Sequence, residues 1–347
     1  MSGTGNSFSV AKDIAAGLEK NGNSASVHNI ENLFDIKLIK QANSIGVVFP
    51  THGFTLPWMI FKFLILLPRG RSRYAFTVCT RGSIRIGKFF MPGLGGSANA
   101  ISALILFLKG YKPKAWKAID MPSNWTVIHP SLTNKSCNWI YKREKKKIDS
   151  FVPVILQRKW SIITLNNSYD FLLGALLLKI SIIYFIFARF FLTKMFFANE
   201  KCNSCGLCEK QCPVGAIKMR GTKKPVPYWK LRCESCMRCI SFCPQKGIES
   251  GHSWAFVLYL ASAGYGLPYL FAKYIIPNYT HQWWFFWLSI ALTIPGLVIA
   301  YHLFHYLMRI KIFNKIFSFT TFTRIFKKYR HSEVKVTDFK KELNTRE

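Results

Sequence analysis

Residues 201–217, KCNSCGLCEKQCPVGAI, are matched after a short connection by residues 232–248, RCESCMRCISFCPQKGI. Each run has the form C-x2-C-x2-C-x3-C-P. Three thiolates on one tight loop reach three irons of a [4Fe–4S] cube, while the fourth, past a turn and beside proline, points away to the other cube. This spacing assigns Cys202, Cys205, Cys208 and Cys243 to one cluster and Cys233, Cys236, Cys239 and Cys212 to a second. Gly206, Pro213 and Pro244 suit the turns, and neither half lacks a ligand, so two cubanes are expected rather than one cubane and a three-iron cluster. Zinc sites would use paired C-x2-C units with longer gaps and have no use for a third equally spaced cysteine. Cys79 and Cys137 stand apart and are expected as small residues in or near a core.

The chain of 347 residues is 50% hydrophobic and carries 48 Lys plus Arg against 16 Asp plus Glu, a formal net charge of +32. That apolar share exceeds what a soluble chain of this charge needs, so part of the protein is expected in a membrane. The positive charge favours anionic lipid headgroups or acidic partner proteins. Nucleic acid is not expected as a partner: the basic residues are scattered among apolar runs, without a helix-turn-helix, finger or aromatic RNA-binding signature. Eight of the ten cysteines crowd between residues 202 and 243 and no cleavable signal sequence precedes the chain, which points to metal in a reducing compartment.

The first half alternates helical and extended patterns. Residues 7–22 read as a helix, 24–30 (SASVHNI) as a short strand, 44–50 (SIGVVFP) as a buried parallel strand, 56–67 as a helix, 73–80 as a strand and 98–112 as a helix closed by Gly110. This order predicts an α/β unit with an open parallel sheet and helices on both faces. Ligands bind such sheets beyond the carboxyl ends of strands, which singles out loops 2–7, 50–54 and 80–83. In the first, Gly3 and Gly5 permit tight turns, Ser2, Thr4 and Ser7 offer hydroxyls, and the helix that follows adds free N–H groups, together an anion site.

The run SGTGNS resembles the flavin-mononucleotide (FMN) phosphate loop of flavodoxins, and PTHGF and TRGS fall where flavodoxins enclose the isoalloxazine ring. The resemblance implies that Ser2, Gly3, Thr4, Gly5, Asn6 and Ser7 hold the ribityl phosphate. It implies that Thr51, His52, Gly53, Thr80, Arg81 and Gly82 border the ring, with Phe54 or Trp58 available to stack on it. Arg81 departs from the common flavodoxin pattern and is expected to favour an anionic reduced flavin. The cysteine runs are similar to those of bacterial two-cluster ferredoxins. Taken with KPVPYW at 224–229 and DMPSNW at 120–125, residues 1–250 resemble a family of fused flavodoxin and ferredoxin proteins of anaerobic bacteria and archaea, which implies low-potential electron transfer.

Beyond the cysteines, residues 254–272 form an uncharged stretch of 19, about 28 Å as a helix, and 283–308 form another with WWFFW at one edge. Joined by IIPNYTHQ, they predict a membrane hairpin whose flanking basic residues place both ends in the cytoplasm. The stretch 170–197 is interrupted by Lys179, Arg189 and Lys194; an interfacial or re-entrant helix is preferred over a third crossing, which would separate flavin from clusters. His252, His302 and His305 near the hairpin ends are expected as interfacial polar residues rather than haem ligands or a quinone pocket. The expected organisation is therefore a flavodoxin-like unit (1–156), an apolar interfacial segment (157–198), a two-cluster ferredoxin (199–250), a transmembrane pair (251–308) and a basic cytoplasmic tail with a surface helix and a loose end (309–347).

Together these features predict an electron carrier anchored in the cytoplasmic membrane, exchanging electrons between FMN and two [4Fe–4S] clusters, with an acidic ferredoxin as one redox partner. The rival readings are a flavin-dependent reductase of a small substrate or quinone and an iron–sulfur sensor or scaffold without flavin. The strand that should precede the Ser2 loop in a 2-1-3-4-5 sheet is missing, because Met1 directly abuts Ser2. That predicts a true start further upstream, and in the sequence as written a slot in the core and weak flavin binding.

Overall fold

Along residues 74–79 alternate side chains serve the two faces of one sheet: Tyr74, Phe76 and Val78 join one buried cluster, Ala75 and Cys79 the other. The computed structural model describes residues 2–31, 36–262, 274 and 283–339. Its first unit contains α1 (Asn6–Lys20), α2 (Ile36–Gln41), β1 (Ser44–Pro50), α3 (Trp58–Leu66), β2 (Tyr74–Ile86), β3 (Phe89–Met91), α4 (Ala98–Leu108), β4 (Lys112–Pro122) and α5 (Asn134–Leu156). Strands β1 and β4 flank β2, both parallel to it, and β3 pairs antiparallel with the far end of β2. Helices α1 and α5 cover one face through Val10, Ile14, Ile148 and Phe151; α3 and α4 cover the other through Ile60, Leu64 and Leu106. The Thr133 hydroxyl starts α5 by accepting the Ser136 amide.

Two local expectations are corrected. Residues 24–29 form no strand: among the described residues none pairs with the free edge of β1, and a cavity of about 750 Å³ keeps this segment apart from β1 and α1, where the missing strand predicts a slot. Residues 80–83 are not a loop, because β2 runs on and pairs with Ile119, Asp120, Met121 and Pro122 of β4. The predicted helices at 56–67 and 98–112 are both present, shortened at their ends.

The next segment is a broken helix, α6 (Leu165–Leu176), α7 (Leu178–Ile183), a π-helical turn (Tyr184–Ala188) and α8 (Arg189–Thr193). Asn167–Leu176 and Leu178–Ile186 meet at 70° and together have the length and composition of a broken span. Among the residues described with their side chains, no single helix is long and apolar enough to cross a membrane.

The cysteine-rich unit pairs β5 (Phe196–Ala198) with β8 (Ile248–Ser250) and β6 (Ile217–Arg220) with β7 (Val226–Trp229), both antiparallel, around α9 (Leu207–Lys210) and α10 (Arg238–Ser241). Then follow α11 (His252–Ser262), α12 (Trp283–Leu307) and α13 (Lys311–Phe319). Residues 263–273 and 275–282, which hold much of the first predicted crossing and its connection, lie outside the described residues. Near the start of α11, Trp254 stacks on Phe304 near the end of α12, ring centroids 4.3 Å apart. The tail after α13 is no loose end as far as residue 339. Tyr329, His331, Val334 and Phe339 are buried, because the chain turns back and packs them on the first loop, α1 and Phe242.

Candidate metal centres

Each C-x2-C-x2-C run bends by placing residues in the left-handed region, and the two halves do so at the same offsets: Ser204 and Ser235, Gly206 and Met237, Gly215 and Lys246. The duplication extends to sulfur, since the Ala216 amide donates to Cys212 Sγ (3.2 Å) and the Gly247 amide to Cys243 Sγ (3.3 Å). The thiols gather in two sets. Cys208 lies within electrostatic reach of Cys202, Cys243 and Cys205. Cys233 and Cys236 act on Cys239, and Cys212 acts on Cys233 and Cys236. Cys208 also acts on Cys239, so the sets adjoin there.

Among the described residues no three His, Cys, Asp or Glu side chains stand close enough to hold a single ion. A cubane, by contrast, spreads its four thiolates over separate irons. With four thiols in each set and amides aimed at two of the sulfurs, the residues fit two such groups. Burial pushes the Cys208 and Cys236 thiols up to about 12, an opposition that bound iron reverses by stabilising thiolate. The sets differ in exposure: Cys205 is exposed, whereas Cys233 and Cys239 lie in the core with Phe196, Trp229 and Ile240.

The second loop is fastened to the α/β unit. Arg238, only 2% exposed, donates both terminal guanidinium nitrogens to the Glu31 carboxylate, one of them also to the Ser2 carbonyl, and packs 4.0 Å from the Phe339 ring. Gly3 lies directly under the Cys236 carbonyl, with no room for a β-carbon.

Of the three predicted flavin segments, loops 2–7 and 50–54 meet at Thr80, which lies inside β2. Ser7 and Thr80 hydroxyls are 2.7 Å apart, and the Thr51 amide donates to the Thr80 carbonyl. Their surroundings are filled by this chain. Ser2, Thr4, Asn6 and Ser7 are buried beneath Asn124, which donates to the Thr4 hydroxyl, Tyr329, which donates to Asn6, and His331, whose amide donates to the Thr4 carbonyl. Tyr184 closes over Gly53, Ser123 lies against Gly82, and His52 is held by backbone bonds to Thr55, its imidazole pushed down to about 4 by burial. Trp58 is stacked on Phe61 and capped by Arg189. The loops as packed do not fit an FMN.

Arg81 is corrected as well. It is bound on one side by Asp120 (2.7 Å) and on the other by Asp170 (2.6 and 2.8 Å). The Gly93 and Gly95 amides complete those carboxylates, so the guanidinium is a buried tie between β2, β4 and α6 rather than a free cation beside a ring. Sequence reading missed Asp170 in this role and Arg238 in the clamp. His252, expected as an interfacial polar residue, is held by hydrogen bonds: Nε2 donates to the Val127 carbonyl (2.6 Å) and Nδ1 lies 3.1 Å from the Thr321 hydroxyl.

His331 gives the covered loop a pH dependence. Burial, opposed by Glu333 and Asp13, holds its imidazole below the usual 6.5. The unfolded tail then takes up a proton first, so stability is full above pH 6.5 and declines as pH falls toward the folded value. We expect amide exchange at Thr4, Gly5 and His331 to accelerate between pH 7 and pH 5, and His331→Asn to flatten that profile.

Residues 194–246 match the 4Fe-4S dicluster domain family. Over 48 residues the chain is 42% identical to a component of the ion-translocating oxidoreductase complex of Methanosarcina acetivorans, covering 14% of this chain and 17% of that protein. A solved flavodoxin from the domain Archaea aligns over 44% of this chain and 94% of its own length, at 17% identity and a TM-score of 0.29.

Proposed function

We propose that the chain is an electron-transfer protein in which two [4Fe–4S] clusters, one reachable from solvent and one walled in, are held by Cys202, Cys205, Cys208 and Cys243 and by Cys233, Cys236, Cys239 and Cys212. The observation that carries this is the paired gathering of the thiols with amides aimed at Cys212 and Cys243. Bound clusters would supply one-electron exchange. The protein supplies access and surroundings: Cys205 is exposed, and the exposed Lys201, Lys210 and Lys246 of the two cysteine runs offer positive charge to an acidic redox partner such as a small ferredoxin. The iron–sulfur relative is by name part of an oxidoreductase complex, which supports a protein partner for this unit too. Anaerobically purified protein is expected to contain about eight irons and eight sulfides per chain and to give, on reduction, the magnetic interaction of two adjacent cubanes. Two irons per chain, or a tightly held zinc, would sink the proposal.

Anchoring in the cytoplasmic membrane through residues 254–308 is part of the same reading. It is supported by the Trp254–Phe304 stack, which brings the start of α11 and the end of α12 to one place, and by the basic residues beside them. Protease accessibility in sealed vesicles tests it: the cysteine-rich unit and the residues after 308 should be cut from the same face.

A second reading, FMN in the α/β unit, is favoured by the meeting of loops 2–7 and 50–54 at Thr80 of β2. It requires Asn124, Tyr329 and His331 to leave the first loop. Adding FMN to the iron-loaded native protein is expected to leave the flavin unbound; stoichiometric binding would establish this reading.

A further inference from the structure

A second cavity, about 200 Å³, lies between β6, β7 and the last turns of α12, and no cysteine lines it. Arg220, His302, Tyr306 and Arg309 form its exposed rim, and Tyr228 and His305 its floor. No Asp or Glu lines it. The floor is built rather than incidental. His305 is 9% exposed, ringed by Tyr228, Trp229 and Tyr301, and its Nε2 has no hydrogen-bond partner. The Arg220 guanidinium is seated 3.6 Å from the Tyr228 ring centroid, and His302 stacks on the same ring at 5.8 Å. A buried polar atom without a partner is costly, and two guanidinium groups beside it are uncompensated by any lining carboxylate.

We propose that this cavity binds a phosphate group, gripped by Arg220 and Arg309 at the rim over the floor that Tyr228 and His305 make. Guanidinium forks match phosphate oxygens in pairs. The volume suits one phosphate and the first carbons of its ester. Two sources share this chemistry, the headgroup of an anionic phospholipid and a free phosphate. The consequence for redox chemistry follows from position. Trp229, next to Tyr228 and fully buried, shares a core with Cys233 and Cys239, so the bound anion lowers the reduction potential of the nearby cluster. The site stands independently of membrane anchoring.

Calorimetry on the iron-loaded full chain in a zwitterionic detergent tests it, with dihexanoyl phosphatidylglycerol, dihexanoyl phosphatidylcholine and inorganic phosphate as probes. One saturable site is expected on the native protein, weakened about tenfold or more in R220Q/R309Q and in His305→Gln, the second variant guarding against a fold defect in the first. K112Q/K114Q removes the same charge elsewhere and should bind within about twofold of native. Binding of phosphatidylglycerol alone assigns the lipid headgroup; competition by inorganic phosphate assigns the free anion. Undiminished binding by both site variants, or equal loss in K112Q/K114Q, overturns the proposal. A potential that falls on ligand addition in native protein but not in His305→Gln is the expected second readout.

Discussion

Arg238→Ala is expected to cost about 3–5 kcal/mol of stability, because it strands the Glu31 carboxylate in a buried place with its charge unpaired. The same side chain also caps the Ser2 carbonyl and leans on Phe339, so its loss strips three elements of one anchor. Urea unfolding of iron-loaded native and variant protein measures the cost. A double change, Arg238→Met with Glu31→Leu, should recover a large part of it, since the carboxylate is then no longer left behind. A loss below about 0.5 kcal/mol in R238A would show that the pair is solvated rather than sealed.

Single cysteine changes are expected to act unequally. Cys239→Ala should abolish the inner cluster and carry the core with it, because Cys239 packs with Trp229, Ile240 and Met237 and no exposed thiol stands in for it. About four irons of eight should be lost, and the remaining signal should lose its magnetic interaction. Cys205→Ala also removes one ligand, but from an exposed corner, so the outer cluster is lost or degraded while the inner one keeps its spectrum and the chain its fold. Iron analysis and electron paramagnetic resonance of the two variants check the contrast; identical residual spectra would refute it.

Much of the metal chemistry is legible in the sequence because it is local. The C-x2-C-x2-C-x3-C-P repeat dictates its own turns, and the matching left-handed positions at Gly206 and Met237 follow from that duplication. What lay beyond reach is set by distant partners. Arg238 sits among cysteines with nothing beside it to announce a clamp, and Glu31 is 207 residues away. Gly82 and Ser83 carry turn chemistry, yet Met121 and Pro122 hold them in a strand. SASVHNI has strand-like composition, but a strand needs a neighbour within reach, and a cavity separates this segment from the free edge of β1. The glycines of SGTGNS look like room for phosphate. Gly3 gives its room to Cys236 and Gly5 to His331 and Val334.

The contact of Gly3 with Cys236 makes the two halves of the protein thermodynamically linked. With the ligands proposed above, one short loop would hold iron and, through the same residue, seat the N-terminal turn. Whatever steadies the turn therefore raises iron affinity, and iron in the inner set steadies the turn by the same free energy. A newly made chain that has not acquired its inner cluster should be recognisable from the far side of the molecule, by a loosened α/β unit.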